Sequence, residues 1–280
     1  MSASRPSQPH VARAGNLLLL LISLLLLRGS SCLRVDRPYT TPTAQEVIAA
    51  LKQRAARLNT MRGETRMNHH TDQGKVKATV RFMAQRGGRL RFDAVSPFDT
   101  PLATLVTDGK RFALVDAQKN RHYHGSASAC NLARLLQVAL EPDDILVVFG
   151  GSTPLIQHDS ATLEWDSRAT AEVLTLKSAT MTQTVRLDGT ARRWDLLSSE
   201  IHNARGELLL QIKPAGYHRV SSLSLPTSLL VRQPRNNNAR LEIGFQRQEV
   251  NIKLPAAAFE LPAPDGMPSQ QVECTTVVKP

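Results

Sequence analysis

LRFDAVSPFDTPLATLVTDGKRFALVD, residues 90–116, is the stretch whose reading decides the fold. Leu90, Phe92 and Ala94 alternate with Arg91 and Asp93, the period-two signature of a strand with one apolar and one wet face. Ser96-Pro97-Phe98-Asp99 is turn chemistry, and Asp108-Gly109 closes a hairpin. Upstream, Val76, Ala78, Val80 and Phe82 alternate with Lys77, Thr79 and Arg81, between turns at Asp72-Gln73-Gly74 and Arg86-Gly87-Gly88. Downstream, Leu174 and Leu176, Val185 and Leu187, Leu208, Leu210 and Ile212, and Leu241, Ile243 and Phe245 repeat the pattern. Turns at Asp188-Gly189, Ala204-Arg205-Gly206 and Asn236-Asn237-Asn238 separate them.

Strands that are apolar on one face only form an antiparallel sheet with one solvated side. Some nine to eleven of them in one sheet must curl, and the apolar concave face then needs a cover. Only helical segments can supply it. Thr43 and Glu46 have capping-box spacing, and Val47, Ile48, Leu51, Ala55 and Leu58 follow on one helical face. A second helical region covers roughly residues 127–149, where Leu132, Leu135, Leu136 and Leu140 form a stripe and Pro142 restarts a short helix from Asp143 to Phe149. Gly150-Gly151 ends it. The expected architecture is mostly β with a helical lid (α+β): a single curved antiparallel sheet and an apolar cavity under two or three helices. Aromatic residues make up 4% of the chain, so the core should be aliphatic. No internal repeat or second domain is visible.

The N-terminal segment gives an address. Leu17 to Leu27 is apolar but too short to span a bilayer, which takes about 20 residues. With Arg5 and Arg13 before it and Gly29-Ser30-Ser31 after it, it reads as a secretory signal. Cys32 directly behind the small residues suggests a bacterial lipoprotein signal with Cys32 lipidated, although Gly29 stands where such signals usually carry Leu and Arg28 interrupts the apolar run. An ordinary secretory signal is the other reading. The segments are then 1–31 signal peptide, 32–42 anchor and tether, 43–267 the folded domain and 268–280 a tail. Loss of the signal removes Arg5, Arg13 and Arg28 and no acid, so the formal net charge falls from +11 to +8. Outside the cytoplasm, anionic lipid surfaces rather than nucleic acid are the acidic partners at hand. Cys130 and Cys274 would remain as a pair that an oxidising compartment could bridge, though nothing in the sequence shows that they meet.

The block from Arg89 to Asp116, the turn Ser96-Pro97-Phe98-Asp99, the helix stop Val148-Phe149-Gly150-Gly151 and the ending Phe259-Glu260-Leu261-Pro262-Ala263-Pro264-Asp265-Gly266 together resemble the LolA/LolB-like family, from the first helix to about Met267. The resemblance implies an incomplete β-barrel of about eleven strands closed by a helical lid, and binding without catalysis. An anchored chain is similar to the LolB-like lipoprotein receptor of that family. It implies a protein facing the periplasm from the outer membrane of a Gram-negative bacterium, which takes lipoprotein acyl chains from a LolA-like carrier and assists their insertion. Leu33 after the cysteine, in place of Asp, agrees with outer-membrane delivery. Val47, Leu51, Leu58, Leu132, Leu135, Leu136 and Leu140 become candidate cavity and lid residues. Pro97 and Phe98 take the place of the family's protruding transfer loop, with Phe-Asp where Leu-Gly is typical; Phe98 either probes the bilayer or folds back into the core. A structural lipoprotein that holds a protein partner, and a carrier of phospholipid, glycolipid or lipopolysaccharide, are the rival functions.

Other constellations read as structural. His122-x-His124 puts two imidazoles on one strand face without a third ligand at metal spacing, and is expected to be a solvated strand end. Glu164 and Asp166 share a face near Trp165. No nucleophile elbow, HExxH, CxxC or phosphate loop occurs, so no enzyme, metal or cofactor is expected. A monomer is expected.

Overall fold

The Thr43/Glu46 spacing acts as a capping box: the Thr43 hydroxyl accepts the Glu46 N–H at 3.2 Å, and the Glu46 carboxylate accepts the Thr43 N–H at 2.7 Å. Helix α1, Ala44–Ala56, follows and buries Val47, Ile48 and Leu51. The structure, a computed structural model, describes residues 35–71, 74–96, 98–136, 138–236 and 238–274. Cys32, Pro97 and the signal segment lie outside the described residues.

Sixteen strands follow among the described residues. The first half is a meander: β1 (Thr60–Thr71), β2 (Gly74–Gln85), β3 (Arg89–Val95), β4 (Pro101–Asp108), β5 (Arg111–Asp116) and β6 (Arg121–Ser126). Helices α2 (Ala129–Leu136) and α3 (Pro142–Phe149) interrupt it. The second half comprises β7 (Ser160–Asp166), β8 (Ala171–Lys177), β9 (Met181–Asp188), β10 (Leu196–Asn203) and β11 (Leu208–Ala215). A small hairpin, β12 (His218–Val220) with β13 (Leu223–Leu225), stands apart from the main sheet. Then come β14 (Ser228–Gln233), β15 (Ala239–Val250), a 3-10 turn at Ala256–Phe259 and β16 (Ser269–Gln271).

The main sheet has fourteen strands in the order β16-β6-β5-β4-β3-β2-β1-β15-β14-β11-β10-β9-β8-β7. It is one large curved sheet that does not close; β16 and β7 are its edges. The count exceeds the expected nine to eleven. One pair, β16 with β6, is parallel, so the sheet is not wholly antiparallel. The sheet also continues past Met267, because Ser269–Gln271 lies along His122–His124. The long reach from β1 to β15 joins the two halves, with Met61 opposite Val250, 189 residues later.

Register places the apolar positions on one face. Val80, Phe82 and Ala84 lie opposite Ala94, Phe92 and Leu90, and all six are buried. The three helices pack along this sheet, α1 against β7, α2 against β4, and α3 against β2 and β3. The core is largely aliphatic, as expected, but has an aromatic centre that composition hid. Phe149, the last residue of α3, meets Phe82 at 5.1 Å, Phe245 at 5.5 Å and Phe92 at 6.1 Å, all edge-on. Gly151 then turns the chain with φ +72; a Cβ there would lie 2.8 Å from Pro226 and 2.9 Å from the Tyr217 ring.

Candidate functional site

The residues that could wall an apolar hollow do come together. Val47, Leu51, Leu58, Leu132, Leu136 and Leu140 are all buried in a single core cluster with the inner face of the sheet. Leu135 belongs to α2, but its side chain lies outside the described ones. The helix side chains pack against the inner face of the sheet.

Two buried glutamines, which motif reading missed, fasten the helical segment to the sheet. Gln233 on β14 accepts the Ala139 N–H and donates to the Ala139 carbonyl, both at 2.7 Å, so it mimics a strand partner for the link between α2 and α3. Gln183 on β9 accepts the Ile156 N–H at 2.9 Å and donates to the Pro154 carbonyl at 2.8 Å, which fixes the chain leaving α3. Their signal was present in the sequence. Gln233 continues the inward register of Leu229 and Val231, and Gln183 that of Val185 and Leu187. A polar side chain on an apolar face must find partners or destabilise the fold.

Phe98 does not fold back. It is 90% exposed at the β3–β4 turn, the most exposed large apolar side chain among the described residues. The turn that presents it is well tied: the Ser96 hydroxyl accepts the N–H groups of Phe98 at 3.2 Å and Thr100 at 3.1 Å. Asp99 takes φ 63 and pairs with Arg81 at 2.6 Å.

At the opposite end of the strands, Arg37 and Tyr39, expected to belong to a tether, dock on the domain instead. Arg37 forms a forked pair with Glu172 at 2.8 and 3.0 Å, where Glu172 is 0% exposed. The Tyr39 hydroxyl donates to Glu172 at 3.0 Å and accepts the Trp194 indole N–H at 3.1 Å. Nearby, Arg54 of α1 pairs with Asp195 at 2.5 Å and donates to the Ser224 carbonyl at 2.8 Å. The Tyr217 hydroxyl lies 3.0 Å from the carbonyl oxygens of both Gly151 and Leu196. Burial raises the pKa of Tyr39 and Tyr217 above the usual 10.0. A raised phenol pKa adds stability that is complete below pH 10 and declines as pH climbs toward the folded-state value. Tyr217→Phe should therefore flatten the alkaline decline of stability above pH 10, measured as the urea midpoint against pH; an unchanged slope would contradict this assignment.

Cavities open on the described surface, and two of them bear on the site. One, of about 470 Å³, lies between the C-terminal half of α1, the Trp194-Asp195 link and the β12–β13 hairpin. The other, of about 1020 Å³, lies between β4–β6 and the segment 256–263. Its wall includes His122 and His124, which corrects the expectation of a solvated strand end. His122 is only 5% exposed, its Nδ1 lies 2.8 Å from the Ser269 hydroxyl, and its ring stacks on His124 at 5.7 Å. Burial, then the His124 charge, lowers its pKa. The cover is β16, which lies within residues 268–280, expected to be a tail. Among the described residues no group of three or more His, Cys, Asp or Glu is placed to hold a metal. Asp166 pairs with Arg186 at 2.6 Å, which accounts for that carboxylate. The sulfurs of Cys130 and Cys274 lie within bonding distance, with Cα atoms 6.1 Å apart.

No family profile matches the chain, and no curated protein matches it. Solved structures do resemble it. A DUF1329-family protein from Desulfovibrio piger superposes with a TM-score of 0.54 at 12% identity, over 79% of this chain and 98% of that one. A LolA-superfamily protein from Nitrosomonas europaea superposes with a TM-score of 0.50 at 12% identity, over 79% of this chain and 99% of that one. These define the class: a mostly β protein with few helices and one large unclosed sheet. The chain has the LolA-like fold.

Proposed function

We propose that the chain is an exported lipid-binding protein of LolB-like type. It is anchored through Cys32 in the outer membrane, faces the periplasm, and receives acyl chains between the apolar face of its incomplete barrel and the α2–α3 lid. The observation that carries this reading is the cover itself. An apolar sheet face of many strands is closed by helices of 13, 8 and 8 residues, the two short ones joined by a link that two side-chain hydrogen bonds to Gln233 hold down.

The energetics permit exchange. The two Gln233 bonds contribute about 0.5–1.5 kcal/mol each. Exposing Leu132, Leu136 and Leu140 would cost roughly 1.5–3 kcal/mol apiece, while sheltering an acyl chain gains about 0.8 kcal/mol per methylene. A chain of a dozen methylenes therefore about offsets full exposure of the lid leucines, so the lid repacks on its ligand instead of swinging free. Gln233→Leu should accelerate uptake of a fluorescent acyl probe several-fold, measured by stopped flow on the domain with Cys32 replaced. Unchanged uptake would remove Gln233 from the gating role, and absence of saturable probe binding would overturn the lipid reading.

Phe98 is the group that enters the bilayer, and the partner delivering cargo is a soluble LolA-like carrier. Apolar side chains at loop tips usually mark a contact. Phe98→Ser should lower association of the unlipidated domain with phospholipid vesicles about tenfold and leave stability within about 0.5 kcal/mol; equal vesicle binding by both forms would exclude it. The burial of the helix leucines in the core favours one alternative, a domain that holds a protein partner and never opens. The probe titration separates the two.

A further inference from the structure

The cavity of about 470 Å³ beside α1 has an unusual charge balance: Arg54, Arg57, Arg192, Arg193 and Arg219 line it with one carboxylate, Asp195. Arg54 already neutralises Asp195. Arg192 lies over the rings of Tyr39 and Trp194, at 5.8 and 5.7 Å. Arg193 and Arg219 make no ion pair with any described residue, and both are exposed. Leu51, Leu58, Leu223 and Leu225 supply an apolar floor. Guanidinium groups without counter-ions over an apolar floor suit an anion carried on an amphiphile.

The cavity's position points to the source of that anion. Arg192 belongs both to the cavity wall and to the Tyr39–Trp194 dock, and Arg37 of the same dock is five residues from Cys32. Five residues reach at most about 18 Å. On the anchoring proposed above, this rim is therefore held at the membrane surface. We propose that the arginine-lined cavity binds the phosphate of an anionic phospholipid headgroup in the membrane that carries the protein. Phe98 lies at the other end of β3, whose seven residues span roughly 23 Å. Both groups can touch one bilayer only if the strands lie along its surface.

The inference rests on the proposed anchoring and not on the lid. Its test is tryptophan fluorescence of the full chain in a neutral detergent, since Trp194 lines the cavity. The titrants are dihexanoyl phosphatidylglycerol, dihexanoyl phosphatidylcholine and inorganic phosphate. Phosphatidylglycerol should bind saturably and at least tenfold more tightly than either of the others. Arg193→Gln with Arg219→Gln should weaken it at least tenfold, whereas Arg121→Gln with Arg205→Gln, which removes the same charge elsewhere, should change it less than twofold. No saturable response, equal loss in the two double variants, or equal affinity for phosphatidylcholine would overturn the proposal. Binding of inorganic phosphate as tight as phosphatidylglycerol would overturn the lipid source. Acyl-probe uptake should be unaltered in the Arg193/Arg219 variant, so failure of the lid reading and failure of the headgroup site are distinguishable.

Discussion

Cys274→Ser should unfold about 2–5 kcal/mol more easily than the parent chain, a range set by the entropy of closing a loop between residues 144 apart. The bridge would join the first turn of α2 to the segment behind β16, and β16 is an edge strand of three exposed residues that could not hold its place alone. Urea unfolding with and without reductant measures the effect. Reductant should bring the parent chain down to the variant and leave the variant unmoved. Equal midpoints in all four conditions would show that the thiols are not joined. The bridge also bears on the lid: it would fix the start of α2, so movement would concentrate at Ala139 and the Gln233 latch.

Arg37→Met should destabilise the domain by about 3–5 kcal/mol, because it leaves the Glu172 carboxylate buried without its counter-charge. The Tyr39 hydroxyl bond persists and cannot replace a forked guanidinium. The double variant Arg37→Met with Glu172→Leu should recover most of the loss, since it removes the unpaired charge as well. Thermal unfolding of the single and double variants checks this; a single variant as stable as the parent would mean that the pair is solvated. The result matters beyond stability, because on the proposed anchoring through Cys32 this pair would set how closely the domain sits to the membrane.

Much of the sheet was legible because its chemistry is local. In β2, β3, β8 and β9 most inward residues are apolar and most of their neighbours polar, with Glu172 and Gln183 the inward exceptions, and those strands lie where the alternation puts them. β1 was not legible, since its inward positions are Met61, Gly63, Thr65 and Met67, a weakly apolar series. Gly63 is there for space: a Cβ would lie 2.2 Å from the Arg247 carbonyl oxygen and 2.8 Å from the Phe82 ring. Nor was β16, whose Ser-Gln-Gln has no alternation and pairs with a strand 147 residues earlier. The site divides in the same way. The buried helix leucines and the exposed Phe98 follow from helical spacing and turn chemistry. The Gln233 latch, the Arg37–Glu172 dock and the arginine-lined cavity join residues that are 94 or more apart, or gather several loops, and no local pattern announces such pairings. Only the inward-facing glutamines left a trace, as polar residues in an apolar register.

The proposed function requires the space under α2 and α3 to open to an acyl chain. Native mass spectrometry of the Cys32-substituted chain, expressed with its export signal and purified without detergent, tests it most directly. A population carrying one acyl-bearing lipid is expected, released when the lid is unfolded by mild denaturant. A single lipid-free mass, together with no saturable uptake of an added acyl probe, would contradict it.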